Sequence, residues 1–432
     1  MSETKSSPTD PRVSIEATQL EKLRHLVTEL ASANRFYAPR LRTAKLDQGL
    51  DSLADFRRME FTTKAQMVKD QRRYPPFGSN LTYPVERYVR FHQTSGTSGE
   101  PMRWLDTAES WQSLTRTWQK VFEVSGIGAG DRMFFPFSFG PFLGFWTAFD
   151  AATANGCLVI PGGGLSSRGR LDLLMGSGAT AMCCTPTYAI RLAEVAVESG
   201  IHLSKSQIRR IIVAGEPGGS VPAVRQRIET LWPGARVFDH HGMTEVGPVS
   251  FPNARFPEVL HIDESSFLAE VLDPQSGEPV TPGQEGELVL TTLERLGAPL
   301  LRYRTGDLVR LSERSPEELG HPEMALDGGI LSRLDDMVVV RGVNLFPSAI
   351  DRIVRRFDGV AEYRVTVDTR KTLTELFVEM ETRSDVDLPS TLARQLSEAL
   401  ETALHLRIPV TTVPPGTLPR FELKAKRWVK SS

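Results

Sequence analysis

The chain has 432 residues, 40% of them apolar and 24% charged, the proportions of a folded globular protein rather than a disordered one. Its 51 lysines and arginines against 53 aspartates and glutamates leave a formal net charge of −2, which argues against nucleic acid or an anionic membrane as the main partner. Three cysteines (Cys157, Cys183 and Cys184), none in C-x-x-C spacing, give no disulfide framework and no thiolate zinc site, and this usage fits a reducing cytoplasm.

The polar opening MSETKSSPTDPR lacks the apolar stretch of a signal peptide, and residues 1–15 are expected to be a disordered tail. Leu20, Leu23, Val27 and Leu30 follow at three- and four-residue spacing, which predicts a helix. From Ser95 to about Ala235, glycine-bounded apolar runs at 133–137, 157–160, 180–184 and 211–214 alternate with helical stretches such as 187–198 and 222–231. That rhythm predicts an α/β domain with parallel strands. The uncharged stretch 133–149 is shorter than the roughly 20 residues a spanning helix needs. It also holds Pro136, Gly140, Pro141 and Gly144, so it reads as a buried strand running into a loop and helix, with no membrane anchor. From about Ala269 the pattern changes to short strands at 268–273, 286–292 and 308–311, with the turn-rich DPQSGEPVTPGQEGE between the first two. Around 332–336 a small α+β unit begins, with helices expected at 348–356 and 388–404 and strands at 363–367 and 375–381.

The decapeptide His92-Gln93-Thr94-Ser95-Gly96-Thr97-Ser98-Gly99-Glu100-Pro101 carries the most chemistry. Its two glycines permit positive φ, so successive N–H groups can converge on an anion, and four hydroxyls add donors for phosphate oxygens. A flexible Ser/Gly linker is the duller reading, but linkers are rarely followed at once by a strand-like run such as 102–105. No GK[ST] ends the loop, so it is not a Walker loop.

Here the chain resembles the adenylate-forming superfamily, and within it the phenylacetate–coenzyme A ligase branch. TSGTSGEP is similar to that superfamily's phosphate loop. In the expected order follow AGEPGG at 214–219, HHGMTEVG at 240–247, YRTGDLVRL at 303–311, SRLDDMVVVRGVNLFPSAID at 332–351 and LPRFELKAKR at 418–427. FTTKAQM at 61–67 and TPTYAIRLAE at 185–194 are similar as well. The resemblance covers nearly the whole chain. It implies a large N-terminal adenylation domain (1–333), with parallel sheets and a β-rich subdomain, and a small mobile α+β C-terminal domain (334–432) hinged at Asp335. The implied reaction activates a carboxylic acid with ATP and Mg²⁺ as an acyl-adenylate, releases pyrophosphate and passes the acyl group to coenzyme A.

The resemblance also implies roles residue by residue. Thr94, Ser95, Gly96, Thr97, Ser98 and Gly99 would hold ATP phosphates, while Gly215, Glu216 and Pro217 would border the adenine. His240, His241, Gly242, Met243 and Thr244 would line the nucleotide, with Thr244 on the α-phosphate and Glu245 holding Mg²⁺. Asp307 would accept hydrogen bonds from the ribose hydroxyls beside Arg333, and Lys424 would be the mobile lysine of adenylation.

These residue types suit the chemistry. Carboxylate and ATP are both anionic, so the site must supply positive charge and position. Lys424 can bridge the two as a point charge on a flexible stem. Mg²⁺ prefers hard oxygen ligands, few of them from protein, which Glu245 plus phosphates would satisfy. A carboxylate accepts several hydrogen bonds, as vicinal hydroxyls require of Asp307. Each has a bland competitor: a solvated charged face around Lys424, a turn at Asp307, a helix-capping acid at Glu245. Their joint retention favours an enzyme over a binding module that kept the fold and lost the chemistry.

Three positions depart from the pattern. Glu100 stands where many relatives carry lysine, and is expected to point away or pair with Arg103. His241 stands where relatives often have an aromatic ring, and Leu423 replaces the usual glycine before Lys424. Phenylalanines 134, 135, 137, 139, 142, 145 and 149 with Trp146 are mostly expected as core, with Phe137, Phe139, Gly140 and His241 the candidates for the acyl pocket. An aromatic-walled slot favours a small aryl carboxylate. Nitrite for diazotising an aryl amine, or a deazaflavin cofactor, remain alternative substrates for adenylation, and a homodimer remains open.

Overall fold

The computed structural model describes residues 10–94, 101–340, 343–369, 374–421 and 425–431. The described residues open on a helix, Pro11–Ala33, so residues 11–15 are helical rather than part of a disordered tail. Asp10 caps it by accepting the N–H of Arg12, and Pro11 sits in the first turn, where its missing N–H costs nothing. Arg12 then forks onto the buried carboxylate of Glu264, a contact 252 residues away in sequence that local polarity cannot reveal. Leu23, Val27 and Leu30 turn inward, as their spacing predicts, with Leu26 beside them, while Leu20 is only partly buried.

The expected parallel sheet is present, with strands ordered Leu158–Pro161, Arg132–Phe135, Ala181–Cys184, Arg210–Ala214 and Arg236–His240. Strand alternation decides which helices each residue meets. Phe134, Met182, Ile211, Val213 and Val237 pack against the helices Ser167–Ser177, Pro186–Glu198 and Pro222–Leu231. Met133, Phe135, Cys183, Ile212 and Phe238 pack on the opposite face against Ala108–Ser125 and Trp146–Ala154. Truncating a fully buried ring such as Phe134 to alanine would cost roughly 3–5 kcal/mol.

The β-rich part is a six-stranded antiparallel sheet ordered Ser250–Pro252, Val259–Ile262, Ala325–Arg333, Tyr303–Leu311, Glu285–Thr292 and Phe267–Leu272. Two further strands, Tyr88–Gln93 and Arg103–Thr107, form a hairpin on either side of residues 95–100. Its neck is closed by Thr94, whose N–H donates to Met102 O at 2.9 Å and whose hydroxyl accepts from Met102 N at 3.0 Å.

The C-terminal unit is a four-stranded sheet ordered Val410–Val413, Glu375–Thr382, Val360–Asp368 and Trp428–Ser431, with helices Pro347–Val354 and Pro389–Leu404. It has its own core around Ile350, Val365, Val378, Met380, Leu396 and Leu400. The segment leading to the last strand is fastened at both ends. Fully buried Glu381 accepts from Gly416 N, Leu418 N and Arg420, while Arg427 forks onto Glu362 with its Nε 2.6 Å from Oε1. Among the described residues, no helix is long and apolar enough to cross a membrane.

Candidate active site

Loops at the carboxyl ends of parallel strands are where an open α/β sheet presents its ligand site. Here the strands Arg210–Ala214 and Arg236–His240 run side by side into Gly215–Glu216–Pro217 and His241–Gly242–Met243, and both loops wall a cavity of about 380 Å³. The C-terminal unit closes the other side with Ser348, Arg352, Arg355, Ala425 and Arg427. Backbone must come close at two points. Gly215 holds φ at +95°, and a Cβ on Gly242 would sit 2.9 Å from Gly247 O.

Asp307 lines the cavity and is buried. Its strand pairs with Ala325–Arg333 so that Asp307 directly faces Arg333. Arg333 Nη1 donates to Asp307 Oδ1 at 2.9 Å, and His241 Nε2 lies 3.0 Å from Oδ2. Burial works to raise this carboxyl's pKa, but His241 and Arg333 outweigh it and hold the group below the usual carboxylate value. Arg333 is raised in turn: burial lowers it, and Asp307 and Asp335 more than reverse that.

Asp239, on the same wall, behaves in the opposite way. Burial pushes it up to about 6, although Ser220 N and His240 N donate to it. His240 borders the cavity, but its ring packs 4.1 Å from the centre of the Trp118 ring, and burial pushes it down to about 3, a neutral imidazole.

Thr244 and Glu245 follow in the same loop, Thr244 half-buried and Glu245 8% exposed. Lys64 Nζ stands 3.7 Å from Glu245 Oε1. It starts the helix Lys64–Arg73, which Thr63 and Gln66 fix by a reciprocal capping box. Among the described residues no three His, Cys, Asp or Glu side chains converge on one point, so no protein cage for a metal surrounds Glu245. That donor set suits a hard cation held partly by substrate oxygens and water, and not one needing a protein cage.

Glu216 has a position that the motif order did not reveal. Its Oε1 accepts from Thr187 N at 2.8 Å, at the start of the helix Pro186–Glu198, and its Oε2 accepts from Ala425 N at 3.1 Å. One carboxylate thus joins the large part of the molecule to the segment holding the expected lysine.

The cavity brings together Gly215, Glu216, Pro217, His240, His241, Gly242, Met243, Asp307 and Arg333 of the expected set. Asp335 lies beside it in an exposed 3₁₀ turn, bonded to Arg333 Nε at 3.1 Å. Ser95, Gly96, Thr97, Ser98, Gly99 and Lys424 lie outside the described residues, as do Glu100 and Leu423; Arg103 donates to Pro76 O. Phe137, Phe139 and Gly140 do not line this cavity. Phe137 packs edge-on to Phe139, Phe142 and Phe145 at 5.2–5.4 Å, and Gly140 O accepts from Trp146 Nε1. Sequence reasoning missed Asp239, Arg355, Arg427 and Lys64. Two signals were available, since Asp239 directly precedes HHGMTEVG and Lys64 stands inside FTTKAQM.

A family model described as AMP-binding enzyme matches residues 87–293, and one described as AMP-binding enzyme C-terminal domain matches 342–431. The chain is 30% identical to the phenylacetate-coenzyme A ligase of Thermus thermophilus, covering 95% of each. A crystal structure of 2-hydroxyisobutyryl-CoA ligase in its postadenylation state, in complex with R3-HIB-AMP, matches with a TM-score of 0.87 and 26% identity, covering 100% of this chain and 95% of that one. The same ligase in its thioesterification state, in complex with 2-HIB-AMP and CoA, matches at 0.69 with 28% identity, covering 100% and 94%.

Proposed function

The chain belongs to the adenylate-forming superfamily, in its phenylacetate–coenzyme A ligase-like branch, and we propose that it activates a small aromatic carboxylic acid with ATP before passing it to coenzyme A. At the coarser level it is an AMP-forming acid–thiol ligase. The observation that carries the reading is the cavity in which Asp307, gripped by His241 and Arg333, faces the loops of Gly215 and Gly242. An ionised carboxylate kept low in pKa is a strong acceptor for the paired hydroxyls of a ribose.

Each residue then has a task. Gly215–Pro217 and Asp239 border the adenine, Asp307 fixes the ribose, and Thr244 contacts the α-phosphate. Thr94 and residues 95–99 would hold the other phosphates. Glu245 would hold Mg²⁺, which when bound neutralises phosphate charge, and Lys64 adds a cation on the same side. Lys424 would bridge the attacking carboxylate and the α-phosphate, delivered by the C-terminal unit, which is proposed to begin at residue 334 and to turn about Asp335. The better match to the postadenylation state than to the thioesterification state supports a molecule arranged for the first half-reaction.

The aryl preference draws support from the relative's phenylacetate. The test is pyrophosphate release from ATP and Mg²⁺ over benzoic, phenylacetic and cinnamic acids, amino-substituted versions, and 2-hydroxyisobutyrate, each with coenzyme A, with nitrite, or with neither. Release that depends on an aryl acid, accelerated by coenzyme A with a thioester product, is the expected result. Release with 2-hydroxyisobutyrate alone overturns the aryl preference, and release that answers only to nitrite overturns the acceptor.

A further inference from the structure

A buried ion pair supports the Thr244–Glu245 turn from outside the cavity and outside every motif noted above. Arg295 is 2% exposed and Asp106 0% exposed. Their contact is bidentate, Nε to Oδ1 at 2.6 Å and Nη2 to Oδ2 at 2.8 Å. The remaining terminal nitrogen, Nη1, donates to Glu245 O at 2.7 Å and to Thr244 O at 3.3 Å. The guanidinium also lies 5.7 Å from the centre of the Trp104 ring, on the same strand as Asp106.

Each end of this contact belongs to a different piece of the phosphate apparatus. Asp106 is on the strand Arg103–Thr107, which follows residues 95–100 in the chain and is paired with Tyr88–Gln93 beside the Thr94–Met102 neck. Thr244 and Glu245 are the residues proposed to meet the α-phosphate and the metal. Carbonyls buried in a turn need donors, and an uncharged side chain could supply them at lower desolvation cost. A guanidinium does something an amide cannot. Its planar, rigid fork fixes two acceptors at one end relative to two at the other, so both pieces take a single relative position. A fully buried ion pair is poor value as a stabiliser, which directs attention to position instead.

We propose that Arg295, held by Asp106, is a positioning residue that sets the Thr244–Glu245 turn against the phosphate-loop hairpin, so that the two segments share one geometry around the triphosphate. The proposal rests on the adenylating function given above. It predicts coupling in the free protein as well as an effect on catalysis.

The variants are Arg295→Lys, which keeps the charge and loses the fork, and Asp106→Asn, which keeps the volume and loses the charge. Hydrogen exchange by mass spectrometry is read on the unliganded, full-length protein in two peptides, 242–248 and 88–94. Both peptides are expected to exchange about tenfold faster or more in either variant, with the C-terminal unit and the parallel sheet unchanged. Pyrophosphate release should fall at least tenfold in kcat, with a several-fold higher Mg²⁺ requirement and the KM for the acid near that of the parent. Wild-type exchange in both peptides, faster exchange in only one of them, or general loosening of the whole fold would each overturn the positioning role. If the parent protein releases no pyrophosphate while the paired exchange effect is present, the functional reading falls and the mechanical coupling stands.

Discussion

The side chain of Glu216 and the backbone of Ala425 meet at 3.1 Å, across the boundary between the large part of the molecule and its C-terminal unit. The same carboxylate accepts from Thr187 N at the start of a helix, where negative charge is favoured. An amide in its place keeps one acceptor oxygen and turns an NH₂ toward the other N–H. Glu216→Gln should therefore weaken the docked arrangement, slowing pyrophosphate release about tenfold. Formation of thioester from a supplied acyl-adenylate should fall less. An equal fall in both half-reactions would place Glu216 in nucleotide binding alone.

Lys424 follows from family resemblance and lies next to that contact in sequence. Lys424→Ala should reduce adenylation a hundredfold or more, on the order of removing one preorganised charge from a transition state. Thioester formation from added acyl-adenylate should continue. Separate assays of the two half-reactions check this, and comparable losses in both would take the lysine out of its assigned role.

Asp335→Pro addresses the hinge. Proline fixes φ near −65° and removes an N–H, so a segment that must change backbone angles between half-reactions would be held in one state. Pyrophosphate release in a single turnover should persist while thioester production falls at least tenfold. Unimpaired steady-state turnover would rule out a hinge at this residue.

Asp239 gives a prediction in pH. Burial raises its folded pKa to about 6, above its value in an unfolded chain. The folded protein thus binds the extra proton between those values, and the associated stability is present below the unfolded pKa and lost as pH rises through about 6. Asp239→Asn removes this dependence. Relative to the parent, the variant's Tm should gain as pH goes from 4.5 to 7.5, by the equivalent of about 2 kcal/mol. Thermal melts at both pH values suffice, and parallel curves would show that Asp239 stays ionised in the fold.

The parallel sheet was readable because its strands are short, apolar on both faces and set off by turn residues, as Ala181–Cys184 between Gly178 and Pro186 illustrates. The edge strands Val410–Val413 and Trp428–Ser431 were not, because their middle residues are exposed and leave no apolar run. In the site, ordered motifs located Asp307 and Arg333, and their cross-strand register explains why both are needed at one place. The bond from His241 to Asp307 was beyond reach, since it depends on a loop and a strand converging over 66 residues of sequence. Arg12–Glu264, Lys64–Glu245 and Asp106–Arg295 share that character. Each pairs side chains from distant segments, whose local sequences read as ordinary surface charge.

The double fastening of the C-terminal segment has a kinetic consequence. Phe421 and Ala425 are four chain steps apart, a span of at most about 15 Å, and the bonds to Glu381 and Glu362 tie both flanks to one sheet. Under the rotation proposed above, Phe421 and Ala425, the described residues on either side of 422–424, travel with that sheet. The observed adenylation rate should then fall as solvent viscosity rises, as the motion of a body of about a hundred residues does.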